Sequence, residues 1–272
     1  NVFISLNYSS LSEAQPGSKS PLDPAKEVHE ASLEAYTSCL EEALMNLPIG
    51  KGRVWAHHWD ARNPQWNQDI RFAEMPELAS SQNTSCSVWE VGAHKRADDT
   101  RTLLGKYPKC EYHAYEPIPV FFATLSKHWK STLNVHTHNY GLAKEDGGFK
   151  VTDSIIKGQS TYIGDSKESE GGEGVTAVIK SFDYAVREAG AKPTLLHMNC
   201  EGCEWTLLPG AVESGFIQDI PVIQIGFHNY GNVGLGKRVI EYCEIRQQLN
   251  HTHDLVDGAV PFGWERWVLK IN

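Results

Sequence analysis

Two glutamates sit where apolar runs give way to turns. Trp89-Glu90-Val91-Gly92-Ala93-His94-Lys95-Arg96 carries the first, and Tyr115-Glu116-Pro117 carries the second, 26 positions on (116 minus 90). A carboxylate at a strand end can accept hydrogen bonds from a cationic or hydroxyl-bearing ligand. A glycine beside it lets that ligand approach the backbone, and a proline stiffens the turn. In a nucleotide-type site, an acid ending the second strand can hold both ribose hydroxyls. The first turn lacks the G-x-G-x-x-G pattern that brings a pyrophosphate onto a helix N-terminus, so a dinucleotide such as NAD is disfavoured. A third cluster is Leu195-Leu196-His197-Met198-Asn199-Cys200-Glu201-Gly202-Cys203-Glu204-Trp205, followed by Leu207-Leu208-Pro209-Gly210; His228 stands just beyond a later apolar run, IPVIQIGF.

The elements that must position these residues follow from hydrophobic texture. From Ser87 onward, short apolar runs (SVWEVGA, CEYHAYEP, LNVHTHNYGLA, PTLLHMNCEG, IPVIQIGFHNYG) read as strands or strand ends, with helices around Asp98–Lys106, Val120–His128 and Phe182–Ala189 between several of them. Such alternation implies a largely parallel sheet, whose ligands bind beyond the carboxyl ends of the strands. The last stretch, HDLVDGAVPFGWERWVLKIN, is expected to form an antiparallel hairpin. Upstream, residues 1–22 read as a surface arm and residues 23–86 as a helix and tryptophan-rich connector. Asp23-Pro24 starts the helix, whose apolar face runs from Val28 through Cys39, Leu40 and Ala43 to Leu47. Residues 87–272 form the main domain. The polar, glycine-rich segment 153–174 reads equally as a lid or as a solvated insertion.

Composition narrows the function classes. The 272 residues are 40% hydrophobic and 22% charged, an ordinary globular mix, and no run of about 18 apolar residues spans a bilayer. Lysine plus arginine number 25 against 34 acids, a net charge of −9, which argues against a nucleic-acid backbone as partner. A small or neutral substrate fits better. The start at Asn1 is expected of a processed or trimmed product. Six cysteines and N-x-S/T sequons at Asn7, Asn83 and Asn250 lean toward a secretory lumen or the extracellular space, with the cytoplasm as alternative.

The third cluster resembles the K-x-D-x-E-G-x-E-x-x-x-L-x-G signature of FkbM-type S-adenosylmethionine-dependent O-methyltransferases, with Glu201, Gly202, Glu204, Leu208 and Gly210 in register. EVGA, YEP, NYGLAKEDG, FDYAV and IQIGFH then fall into the family's order, so the likeness covers about residues 87–272. The eukaryotic methyltransferase-like branch is the nearest comparison. The resemblance implies a Rossmann-like class I methyltransferase fold in the α/β class and S-adenosylmethionine as cofactor. Glu90 and Gly92 would contact its methionine part, Glu116 its ribose, and Asn139 and Tyr140 would lie near the adenine. Glu201 would face the cleft, although a glutamate near a helix start equally serves as cap or dipole partner, the role expected of Glu204. His228 at the cleft edge is the expected base for a hydroxyl proton, with His197 second.

The implied reaction is O-methylation of a sugar, a glycan or a small polar molecule. The chain departs from the pattern at Glu90 (usually aspartate), Arg96 (a second glycine), His197 (lysine) and Asn199 (aspartate). The longer acid at Glu90 is tolerable, whereas Arg96, His197 and Asn199 support a rival, a catalytically silent fold that binds a glycan or protein. His136-x-His138 and His251-x-His253 lack an obvious third ligand, so no metal is expected. Cys200-x-x-Cys203 reads as buried thiols or as disulfides to other cysteines; six cysteines allow 15 pairings, and the sequence selects none.

Overall fold

The computed structural model describes residues 33–34, 36–43, 70–81, 85–151, 175–228, 235–258 and 263–271. The N-terminal arm, Trp55, Trp59, Trp66 and the segment 153–174 lie outside them, as do the sequons at Asn7 and Asn83. In chain order the elements are helix α1 (36–43), a 3-10 turn (Ile70–Phe72), α2 (Pro76–Ser81), β1 (Ser87–Val91), α3 (Asp98–Lys106), β2 (Glu111–Tyr115), α4 (Pro119–Trp129), β3 (Val135–His138), β4 (Gly141–Ala143) and β5 (Gly147–Val151). There follow β6 (Val175–Ser181), α5 (Phe182–Ala189), β7 (Leu195–Met198), α6 (Glu204–Glu213), β8 (Val222–Gly226), α7 (Leu235–Leu249), β9 (His253–Asp257) and β10 (Trp264–Leu269).

Seven strands form one sheet in the order β3-β2-β1-β7-β8-β10-β9. The first five run parallel, and β10 is antiparallel to both β8 and β9. This is a Rossmann-like α/β architecture with a C-terminal antiparallel hairpin. The hydrophobic strand runs are continuous because both faces are covered. Along β1, Val88 joins a cluster with Leu78, Leu103 and Leu125 on one side, while Trp89 and Val91 join Cys39, Ala43, Phe182, Leu208 and Tyr242 on the other. Leu195 and Leu196 of β7, and Val222 and Ile223 of β8, split between the faces in the same way. Helices α2, α3 and α4 thus pack on one face and α1, α5, α6 and α7 on the other.

Two features differ from expectation. The run LNVHTHNYGLA is not one strand: it bends at Asn139-Tyr140, and β4 leaves for a separate three-stranded sheet, β4-β6-β5. The cysteines pair as Cys39–Cys243, Cys86–Cys110 and Cys200–Cys203, so the last two bond to each other rather than to distant partners. Among the described residues, no helix is long and apolar enough to cross a membrane.

Candidate functional site

The chain crosses from β3 back to β7 on the other side of β1, so a crevice opens where the carboxyl ends of β2, β1 and β7 diverge. A cavity of about 310 Å³ lies there. Its walls are strand ends and the turns after them: Glu90 and Val91 ending β1 with residues 92–94 and Arg96 beyond, Glu116, Pro117 and Ile118 after β2, and Asn199, Cys200, Glu201 and Cys203 after β7. Phe121, Leu142 and Ile179 make one flank apolar, while Arg71 and Asp99 close the polar end.

Glu90 and Glu116 therefore face a shared hollow, and each also ties down a loop. Thr100 N donates to Glu90 Oε2 at 2.8 Å, so the strand-end acid caps the first turn of α3. His94 N donates to Glu116 Oε2 and Ile118 N to Oε1, both at 2.8 Å, joining the two turns across the cavity. Burial pushes the Glu116 carboxyl up to about 7 against the pull of those two N–H groups. Burial and the neighbouring Asp99 charge raise Glu90 as well.

Gly92 has φ 90, and its amide donates to Tyr115 O at 3.1 Å. A Cβ there would lie 2.4 Å from Asn199 O and 2.6 Å from the Cys200 Cα. No side chain fits, and the bare backbone lets the β1 and β7 turns close against each other.

Beneath the polar end runs a buried chain of charged groups. His197, fully buried, faces Asp99 Oδ2 with Nε2 and Gln224 Oε1 with Nδ1, each at 3.0 Å. Gln224 Nε2 donates to the carbonyls of Ile70 and Arg71, which fixes its oxygen toward the ring. Both imidazole nitrogens thus meet acceptors, and the ring must carry two protons. Burial works against that charge, but the bond to Asp99 and the charges of Asp99 and Glu90 outweigh it and raise the pKa. Asp99 is buried too, yet His197 and the Arg71 guanidinium, 3.0 Å from Oδ1, hold its carboxyl below the usual range.

The third turn separates its two acids. Glu204 is fully buried: Oε1 accepts from Cys200 N at 3.2 Å and His228 Nδ1 at 2.8 Å, and Oε2 accepts from Gly202 N at 2.9 Å. Glu201 lies on the cavity wall with φ 58, and its Oε2 is buried without a hydrogen-bond partner among the described residues.

No family model matches the sequence, and no curated protein matches it significantly. Solved structures similar to it include methyltransferases. An SAH-bound methyltransferase of Podospora anserina is 9% identical with TM-score 0.40, covering 94% of this chain and 100% of its own. A putative O-methyltransferase from Klebsiella pneumoniae is 12% identical with TM-score 0.37 and 92% of each chain covered. The Bacillus cereus O-methyltransferase in complex with SAH is 11% identical with TM-score 0.39, covering 87% of this chain and 91% of that one.

Of the residues singled out from sequence, Glu90, Gly92, Glu116 and Glu201 line the cavity, and His228, Asn139 and Tyr140 do not. The Nδ1 of His228 bonds Glu204 at 2.8 Å, and although burial disfavours the charge, that carboxylate raises its pKa. Asn139 Nδ2 donates to the backbone oxygen of Glu116, and the Tyr140 hydroxyl bonds Glu188. The bend at these two positions leaves Gly141 and Leu142, not their side chains, on the cavity wall. Sequence reasoning missed Arg71 and Asp99. Asp99 had a signal, an acidic pair opening α3, but Arg71 arrives from a segment without a motif.

Proposed function

We propose that the chain is an S-adenosylmethionine-dependent O-methyltransferase of FkbM type, acting on a hydroxyl of a sugar, a glycan or a small polar molecule. The observation that carries this reading is the convergence of Glu90 and Glu116 on one cavity whose floor is the bare backbone of Gly92. Five carboxylates (Glu90, Asp98, Asp99, Glu116, Glu201) against Arg71 and Arg96 suit a cationic nucleoside better than a phosphate. The residues fit the cofactor: Glu116 beside Ile118 would take the ribose, and Glu90 and Gly92 the methionine end. When bound, it supplies a methyl group on a positively charged sulfur.

The chain's own contribution is alignment and exclusion of water. A hydroxyl acceptor would have to give up its proton. Glu201, which lines the cavity, would be the candidate to take it. A secretory lumen or extracellular location is part of the proposal and is supported by three disulfides, since cytosolic thiols are kept reduced. The acidic net charge favours partners other than nucleic acid.

Titration calorimetry with S-adenosylhomocysteine tests the reading. Micromolar binding is expected, lost at least about tenfold in Glu116→Ala, the scale of charge-assisted hydrogen bonds. The affinity should also weaken as pH falls below about 7, because the ribose hydroxyls would donate to the ionised Glu116 carboxylate, which protonation removes as a double acceptor. Binding that is unchanged in the variant removes the ribose assignment. A second reading has its own support: the oxygens of Glu116 already serve backbone amides, as a silent glycan- or protein-binding fold would use them. Absence of binding heat at any pH favours it.

A further inference from the structure

Glu201 reaches the cavity only because its turn is held in an unfavourable shape. It adopts φ 58 and is followed by Gly202 at φ 108, so two consecutive residues lie in the left-handed region. For a residue with a Cβ this conformation is unfavourable and persists only when surrounding bonds over-determine it. Two restraints are present. Glu204 accepts from Cys200 N and Gly202 N, and the Cys200–Cys203 disulfide closes the turn covalently.

The position of this disulfide sets it apart. Both of its cysteines line the cavity, and the Cys200 Cα sits against Gly92 on the opposite turn. Cys39, Cys243, Cys86, Cys110 and Cys200 are all buried; of the six cysteines only Cys203 is half-exposed. Thiol–disulfide exchange requires access to a sulfur, so the cavity-wall bridge is the one an external thiol reaches first.

We infer that Cys200 and Cys203 are a positioning pair, whose disulfide keeps the Glu201 carboxylate on the cavity wall and whose reduction disassembles that side of the site. The chemistry needs a dithiol. One of its sulfurs attacks Cys203 Sγ as thiolate, the Cys200–Cys203 bond breaks, and Cys200 leaves as thiolate and takes up a proton. The second dithiol sulfur then displaces Cys203, which is protonated in turn. The dithiol ends as a disulfide, having lost two electrons, and the protein ends with two thiols. With the ring open, Glu201 relaxes to an ordinary right-handed conformation and the 199–203 turn draws away from Gly92.

This inference rests on the proposed cofactor reading for its binding consequence but not for its structural one, so two measurements are paired. Full-length oxidised protein is treated with a dithiol, the reduced cysteines are identified by alkylation and mass spectrometry, and samples are compared by hydrogen exchange and calorimetry. The Cys200–Cys203 bond should open before the other two. Exchange at the Cys200 and Gly202 amides should then rise about tenfold, and affinity for S-adenosylhomocysteine should fall about tenfold, the loss of roughly one hydrogen bond's worth of binding. Affinity for adenosine, which leans on Glu116 and Ile118 instead, should stay the same, and reoxidation should restore the starting values. A Cys200→Ser/Cys203→Ser double variant should match the reduced protein. Should that variant fail to fold, reversible reduction of the wild type decides.

Earlier opening of another disulfide, unchanged exchange at the two amides, unchanged affinity for S-adenosylhomocysteine, or equal losses for both ligands each overturns the positioning role. If the oxidised protein binds neither ligand, the cofactor reading falls. Exchange alone then decides the positioning claim, faster exchange upholding it and unchanged exchange refuting it.

Discussion

Histidines are buried in two regions of this sheet and do opposite things. At the seam between β1 and β7, His197 is matched on both nitrogens by acceptors and stacks on Trp264 with ring centroids 5.1 Å apart, so it is held charged. At the β2–β3 edge, His113 instead meets other imidazoles. Its ring stacks on His136 at 5.0 Å and on His138 at 5.3 Å, and its Nδ1 shares a hydrogen bond of 3.1 Å with His138 Nε2. One nitrogen of that pair must accept, so the two rings cannot both be charged. Burial, with His138 and His136 adding repulsion, lowers His113 to about 3. His138 is lowered too, by burial, despite Glu188 at 3.4 Å. Burial works against the charge in both regions, and it is overcome only at His197, where acceptors face both nitrogens.

The largest test removes the counter-charge. Asp99→Ala should strand the His197 imidazolium and destabilise the fold by about 3–5 kcal/mol, read as a lowered urea midpoint. A loss below about 1 kcal/mol would mean that the ring is neutral after all.

Next in size is the response to acid. His113 in the unfolded chain titrates near its ordinary value, whereas the folded ring stays neutral to about 3. As pH drops between those limits the unfolded state gains a proton that the native state refuses, and stability falls by up to about 1.4 kcal/mol per pH unit. His197 has the reverse sign: with its folded pKa raised, its contribution is complete in acid and fades as pH rises through that value. Urea titrations of His113→Phe from pH 7 to 4 should show a flatter profile than the parent. Parallel profiles would dissolve the contrast.

The smallest effect should come from His136→Gln. That ring is exposed, its ion-pair partner Glu111 at 2.8 Å is exposed too, and it stacks on His113 from the outside, so its loss should stay within about 0.5 kcal/mol.

Much of the fold was legible because strand ends are written in the chain as apolar runs stopped by a turn. Val88 to Gly92 and Tyr112 to Pro117 are such runs, and parallel pairing places both stops at one end of the sheet. The site was half legible for a related reason. Glu90, Gly92, Glu116 and Glu201 belong to those stops, but which way a polar side chain turns beyond a strand depends on partners from elsewhere. His228 turns to Glu204, a residue 24 positions away whose own direction is set by two amides. Tyr140 turns to Glu188, 48 positions away. Arg71 enters through Asp99 and the face of Trp264, contacts that no local spacing announces. The cysteine pairing was equally closed to sequence, since six thiols carry no mark of partnership until the backbone brings them within reach.

The Cys39–Cys243 bridge joins α1 to α7 across a separation of 204 residues. Every strand from β1 to β8 lies between its two sulfurs. A protease cut anywhere in that stretch therefore yields no free fragment, and the severed halves travel as one particle until a reductant parts them.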